Sequence, residues 1–250
     1  VYGGVSCRQY ELAVARAGTI VYYHGGGFVV GGLDSHDSIC AEICAATEVR
    51  LVAVDYPLAP EHTYPEDFDA AWNAYAAVRA AFDGPCVVCG DSAGGNLAAA
   101  VSYKGRQEGL LPEGQVLIYP GLGGDMTLPS YSEHAEAPQL TTRDVEFYMA
   151  IRFGGAMPEK SPQFAPLAAR SFAGLPPTIC FTAECDPLTS DSDEYVNRIA
   201  ASGGRALWIN EAGLVHGYLR ARGMSKRAGD SFRRICSGLR ALSAGQWPAL

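Results

Sequence analysis

Gly90-Asp91-Ser92-Ala93-Gly94 fits the pattern G-x-S-x-G. The pattern is short enough to arise by chance, and its setting is what strengthens it. Cys86–Cys89 ahead of it reads as a buried strand, and Ser92 to about Gln107 behind it reads as a helix. A serine at such a strand-to-helix turn sits on a tight bend with its hydroxyl presented. Glycines two residues before and after remove side chains that would collide where helix meets strand. The helix N-terminus adds backbone N–H groups and a partial positive charge beside a developing oxyanion. The chemistry this predicts is acyl transfer through a serine nucleophile. The competing reading is that Ser92 only caps the helix.

A serine nucleophile needs a base and an acid. In hydrolases built on this turn the chain order is serine, acid, histidine. Of the five histidines (His24, His36, His62, His134 and His216), only the last two follow Ser92. His134 falls in an irregular stretch. His216, flanked by Gly217, follows the strand Ala206–Ile209 in a loop and is the expected base, the bland alternative being an idle exposed histidine. The strand Thr178–Thr182 runs into Ala183-Glu184-Cys185-Asp186-Pro187, which makes Asp186 the expected acid, with Glu184, Asp191 and Asp193 as rivals.

His24-Gly25-Gly26-Gly27-Phe28 follows another strand directly. Glycines there let backbone N–H groups turn inward without a Cβ in the way, and Ala93, the residue after the nucleophile, supplies one more. A phosphate loop is disfavoured, because neither G-x-x-x-x-G-K-[ST] nor G-x-G-x-x-G opens a helix here. His24 is expected to brace the loop rather than act as a second base.

These residues need strand ends to hold them. Gln9–Ala15 and Thr19–Tyr23 read as short strands split by Ala17-Gly18, predicting a hairpin at a sheet edge. Asp34 or Ser35 would cap a helix to about Glu48, followed by the strand Arg50–Val54 and the proline-rich loop Tyr56–Tyr64. Pro65, with Glu66 and Asp67 behind it to complement the dipole, opens a helix to about Phe82. Then follow the strand Gln115–Tyr119, the stretch 120–175 with one helix (Thr142–Phe153, capped by Thr141 or Thr142), the helix Thr189–Ser202 and a C-terminal helix from about Arg227. Such alternation predicts an α/β fold, a mostly parallel sheet with helices on both faces. The stretch 120–175 is too long for a connector and is expected to form a lid.

Composition narrows the function classes. The 250 residues suit one domain over 1–250, and 48% of them are hydrophobic with 18% charged, which excludes a disordered chain. A net charge of −8 without a basic run argues against nucleic acid or an anionic membrane as partner. No apolar run approaches the ~20 residues of a membrane helix. The eight cysteines are too sparse for a disulfide scaffold. Cys86 and Cys89, at i and i+3 on a strand, point to opposite faces, while Cys40 and Cys44 share one face of a helix. No secretory leader is visible, so the expected compartment is the cytoplasm. Twenty-nine glycines stand out, and the densest groups lie at 25–32 and 90–95.

Five motifs in order carry a resemblance: His24-Gly25-Gly26-Gly27-Phe28, Asp55-Tyr56-Pro57-Leu58-Ala59-Pro60-Glu61, Gly90-Asp91-Ser92-Ala93-Gly94-Gly95-Asn96, Asp186-Pro187-Leu188 and His216-Gly217. Together they resemble the hormone-sensitive-lipase-like family of α/β-hydrolases, the bacterial family IV carboxylesterases, from about residue 19 to the C-terminus. The resemblance implies an esterase for short acyl chains, with Ser92, Asp186 and His216 as triad. It implies Gly26, Gly27 and Ala93 as oxyanion donors, with Gly25 as a further candidate. Asp55 and Glu61 match a motif that supports the oxyanion loop in this family, and dimers through an edge strand are implied. Two departures stand out: there is little sequence for the usual N-terminal cap, so a reduced or absent cap is expected, and Thr189-Ser190 replaces charged residues after Asp186-Pro187-Leu188. The expected substrate is a small-molecule ester, and no metal or organic cofactor is called for. The alternatives are a catalytically silent ligand-binding module of the same fold and a lipase for longer acyl chains.

Overall fold

The computed structural model describes residues 1–249. Its sheet contains β1 (Cys7–Tyr10), β2 (Arg16–Tyr23), β3 (Val49–Val54), β4 (Cys86–Asp91), β5 (Gly114–Ile118), β6 (Thr178–Cys185) and β7 (Ala206–Val215). They lie in the order β1-β3-β2-β4-β5-β6-β7, and only β1 runs antiparallel to its neighbour. The helices are α1 (Asp37–Thr47), α2 (Glu66–Ala81), α3 (Ala93–Glu108), α4 (Pro129–Glu133), α5 (Thr142–Phe153), α6 (Thr189–Ala201) and α7 (Lys226–Ser243).

The central strands read as unbroken apolar runs because both faces are covered. Along β2, Val21 and Tyr23 enter the core shared with Phe68 and Tyr75 of α2, Leu97 of α3 and Tyr195 of α6. Ile20 and Tyr22 enter the opposite core, with Ile39 and Ile43 of α1 and Ile235 and Leu239 of α7. Each fully buried aliphatic side chain contributes about 1.5–3 kcal/mol. Cys86 and Cys89 fall in opposite cores, as their spacing predicts, and all eight cysteines are free thiols.

The expected hairpin does not form. β1 pairs with β3 (Cys7 opposite Val54), and β3 separates it from β2. Ala17-Gly18 lies inside β2, where the register to β3 shifts between Arg16 and Thr19 and Gly18 takes a φ of 106°. The pair is a bulge in one strand, not a turn between two. Other boundaries differ from expectation as well. α1 begins at Asp37 without a side-chain cap, since Ser35 Oγ donates to the Gly32 carbonyl instead. β7 runs on to Val215, which carries the chain to His216 directly from the sheet. α5 starts as expected, with Thr141 and Asp144 forming a reciprocal capping box.

Between β5 and β6 an insertion folds over the carboxyl edge of the sheet. It contains α4, α5 and a 3-10 turn at Pro166–Ala168. It is pinned from below: Asn96 Nδ2 on α3 donates to the carbonyls of Gly121 (2.7 Å) and Phe164 (2.8 Å). The buried Asp191 carboxylate on α6 accepts the N–H groups of Leu122 (2.8 Å) and Gly124 (3.1 Å) and the Tyr131 hydroxyl (3.0 Å).

Candidate active site

β4 ends at Asp91 and α3 begins at Ala93, so Ser92 alone makes the turn. Its φ of 53° and ψ of −118° are strained for a side chain that carries a Cβ. The bend holds because its neighbours are glycine. A Cβ on Gly90 would lie 2.3 Å from the Gly94 carbonyl oxygen, and one on Gly94 would lie 2.0 Å from that of Tyr23. The Ser92 N–H donates to the Ile118 carbonyl at 2.8 Å, fixing the turn to β5. Ser92 makes no side-chain cap bond to α3, which removes the capping explanation.

Its hydroxyl instead meets His216 Nε2 at 2.8 Å, and His216 Nδ1 meets Asp186 Oδ2 at 2.7 Å. With Nδ1–H donated to the carboxylate, Nε2 is free to accept the serine proton. Asp186 is wholly buried, and its second oxygen accepts the Leu188 N–H at 2.9 Å. The imidazole lies against the Tyr119 ring, 4.8 Å between centroids. The rival acids are otherwise engaged. Glu184 accepts the Gly213 N–H, Asp193 accepts from Asn197, and Asp191 holds the insertion. His134 sits at the end of α4, and its backbone N–H donates to the Ser130 carbonyl.

The glycine loop reaches the serine from the other side. Gly26 (φ 132°) and Gly27 (φ 62°) both need glycine, since Cβ atoms there would lie 1.9 Å from the Val30 carbonyl oxygen and 2.6 Å from the Tyr148 ring. Among the described residues, the N–H groups of Gly26, Gly27 and Ala93 have no hydrogen-bond partner. Gly25 differs: its N–H is committed to Asp91 Oδ1 at 2.9 Å, which removes it from the set of available donors.

Bracing comes from both flanks. His24 Nδ1–H donates to the Gly25 carbonyl at 2.8 Å, and Tyr56 stacks on the His24 ring while its hydroxyl donates to the His24 carbonyl at 2.7 Å. The Ala59 N–H donates to the Phe28 carbonyl. The Asp55 and Glu61 side chains are exposed and make no hydrogen bond among the described residues, so that motif supports the loop through Tyr56 and Ala59. Beneath the loop, Asp91 accepts from Tyr22 (2.7 Å) and lies 3.4 Å from His36 Nε2. Burial alone would raise its carboxyl, but His36, the Tyr22 hydroxyl and His24 outweigh that and hold it down at about 2.

A cavity of about 150 Å³ opens onto Ser92 and Gly27. Its wall is apolar, drawn largely from the insertion: Tyr131, Leu140, Val145, Tyr148, Phe164 and, from the turn ahead of α6, Leu188. No group of three or more His, Cys, Asp or Glu that could hold a metal ion occurs among the described residues. Sequence reading misses a second buried set. Arg152 of α5, Asp67 of α2 and Asn96 of α3 are joined beside the cavity, and Asp67 reads in sequence only as a dipole carboxylate. One signal was available for Arg152: it is the single cation within the otherwise apolar tetrad Met149–Arg152 of a helix expected to cover an apolar pocket.

Residues 20–220 match the family of the α/β-hydrolase fold. Esterase LipI of Mycobacterium tuberculosis is 36% identical over 239 residues, covering 92% of this chain and 75% of the relative. Ethyl acetate hydrolase of Pseudomonas putida is 28% identical over 239 residues, again covering 92% and 75%. The crystal structure of DphMB1 superposes with a TM-score of 0.92 at 34% identity, covering 97% of this chain and 83% of that one. This chain thus spans about three quarters of the length of these two curated relatives.

Proposed function

Because this chain belongs to the α/β-hydrolase fold family and is related to bacterial carboxylesterases, we propose that it hydrolyses short acyl esters with Ser92 as nucleophile, His216 as base and Asp186 as the acid that orients it. His216 takes the Ser92 proton as the hydroxyl attacks the ester carbonyl. The tetrahedral oxyanion then faces the free N–H groups of Gly26, Gly27 and Ala93, each worth about 3 kcal/mol in the transition state. His216 returns the proton to the leaving alcohol, and water repeats the cycle on the acyl-enzyme. The observation that carries this reading is the continuous chain from Ser92 Oγ through His216 to Asp186, with links of 2.8 and 2.7 Å.

The insertion 120–175 acts as the lid that shapes the acyl pocket. An apolar cavity near 150 Å³ holds a group of about benzene size, which favours short acyl chains. The relation to an ethyl acetate hydrolase points the same way. Eight free thiols suit a reducing compartment and hence the cytoplasm, and no described helix is long and apolar enough to cross a membrane. β7 is one of the two outer strands of the sheet, and pairing through it would give a homodimer.

Turnover of p-nitrophenyl acetate, butyrate, hexanoate, octanoate and dodecanoate tests the reading. Activity is expected to peak at butyrate or below and to vanish in Ser92→Ala. Full turnover by Ser92→Ala, or no labelling of Ser92 by a fluorophosphonate, overturns it.

A further inference from the structure

Arg152 is wholly buried on α5, yet neither the triad nor the oxyanion donors use it. Its Nε donates to Asp67 Oδ2 at 2.7 Å and its Nη1 to Asn96 Oδ1 at 3.3 Å. These two anchors lie on different helices and fix the plane of the guanidinium. On that plane rests the ring of Phe28, 3.5 Å from ring centroid to guanidinium carbon. Phe28 directly follows the oxyanion glycines and has a φ of 66°, a conformation a bulky residue keeps only when its surroundings impose it.

One helical turn earlier on the same face of α5, the Tyr148 ring covers Gly27. Positions 148 and 152 therefore press on two consecutive residues of the oxyanion loop. Asn96, which receives Arg152, also holds the insertion at two points, Gly121 and Phe164. A buried ion pair is a poor means of stabilising a fold, since an apolar pair of similar volume serves as well or better. What an apolar pair cannot supply is a flat surface held in one orientation by two hydrogen bonds.

We infer that Arg152 is a positioning residue for ester hydrolysis: it fixes Phe28, and through it the Gly27 N–H, so that the oxyanion site is complete only while α5 is seated on Asp67 and Asn96. The inference rests on the serine-esterase reading above. It differs from a pocket-wall role in one respect. A wall matters for acyl groups that touch it, whereas an oxyanion donor matters for every ester.

The test compares wild-type protein, Arg152→Lys and the charge-free double variant Arg152→Gln/Asp67→Asn. Lysine keeps the ion pair but loses the flat face, and the double variant leaves no unpaired buried charge if Arg152→Lys folds poorly. Turnover is expressed per site titrated to end point with a fluorophosphonate, so unfolded protein is not counted. The expected result is a ten- to hundredfold loss of kcat, the cost of a misplacement of about 1 Å. That loss should be equal for p-nitrophenyl acetate and butyrate, with KM for acetate changed less than about threefold. Acetate turnover per site within twofold of wild type in both variants overturns the inference, whatever happens to butyrate. Failure of the wild-type protein to label or turn over would instead overturn the esterase reading, and the inference with it.

Discussion

The Gly25 N–H donates to Asp91 Oδ1 at 2.9 Å, tying the first glycine of the 25–27 loop to the residue before Ser92. Loop and elbow are thereby one unit, and the carboxylate that joins them is nearly out of water at 6% exposure. It remains charged because Tyr22, Gly25 and His36 surround it.

That charge gives the first prediction. Asp91→Asn keeps an oxygen for Gly25 and Tyr22 but loses the attraction to His36. The Asp91 carboxyl lies near 2 against an ordinary 3.8, so its folded value is depressed. A depressed carboxyl stabilises the fold above the unfolded pKa and loses that contribution as pH falls towards the folded one. Asp91→Asn should therefore cost about 2 kcal/mol near pH 5, and the gap to wild type should shrink between pH 4 and pH 2. Urea denaturation at several pH values measures it; a constant gap would sink the idea.

Asp186→Asn leaves the hydrogen-bond geometry nearly intact but lets His216 present the wrong tautomer to Ser92. A drop in kcat of about four orders of magnitude is expected, with little change in KM. Steady-state kinetics on p-nitrophenyl butyrate decides, and a loss below tenfold would argue for another acid.

Gly27→Ala meets two obstacles, a φ of 62° and the Tyr148 ring 2.6 Å from the new Cβ. Displacing this donor should lower kcat by about a hundredfold. Adding Tyr148→Ala removes the collision but not the backbone strain, so it should restore only part of the rate. Full rescue would show that sterics alone required glycine; no rescue would show that Tyr148 is not the obstacle.

The triad was legible because each member announces itself locally, Ser92 by its glycine spacing and Asp186 and His216 by the strands they follow. What lay hidden depends on partners far away in sequence. Arg152 and Asp67 are separated by 85 positions, and nothing in the local pattern of α2 distinguishes a buried Asp67 from a solvated helix-start carboxylate. Gly25 stands in sequence as a further candidate donor beside Gly26 and Gly27, and only its acceptor, 66 positions on, takes it out of the set. The β1–β2 hairpin failed for a related reason. Ala17-Gly18 can serve a turn or a bulge, and which one forms is decided by β3 pairing between the two strands.

Asp191 carries the opposite pH signature to Asp91. It is buried without a cation, and burial raises its carboxyl to about 6 although Gly124, Leu122 and Tyr131 all donate to it. The unfolded chain, with an ordinary value of 3.8, releases this proton more readily than the folded one. Between pH 4 and pH 6 the native state therefore holds more protons, and stability falls as pH rises through that window. The full effect is on the order of 3 kcal/mol. Asp191→Asn can keep its amide oxygen on the two backbone N–H groups and turn its NH2 towards the Tyr131 hydroxyl, without a charge to desolvate. The variant should be more stable than wild type at pH 8, and the advantage should disappear near pH 4. Thermal unfolding at the two pH values reads this directly. A variant less stable than wild type at pH 8 would mean that the charge itself, through its bonds to Leu122 and Gly124, is what holds the insertion down.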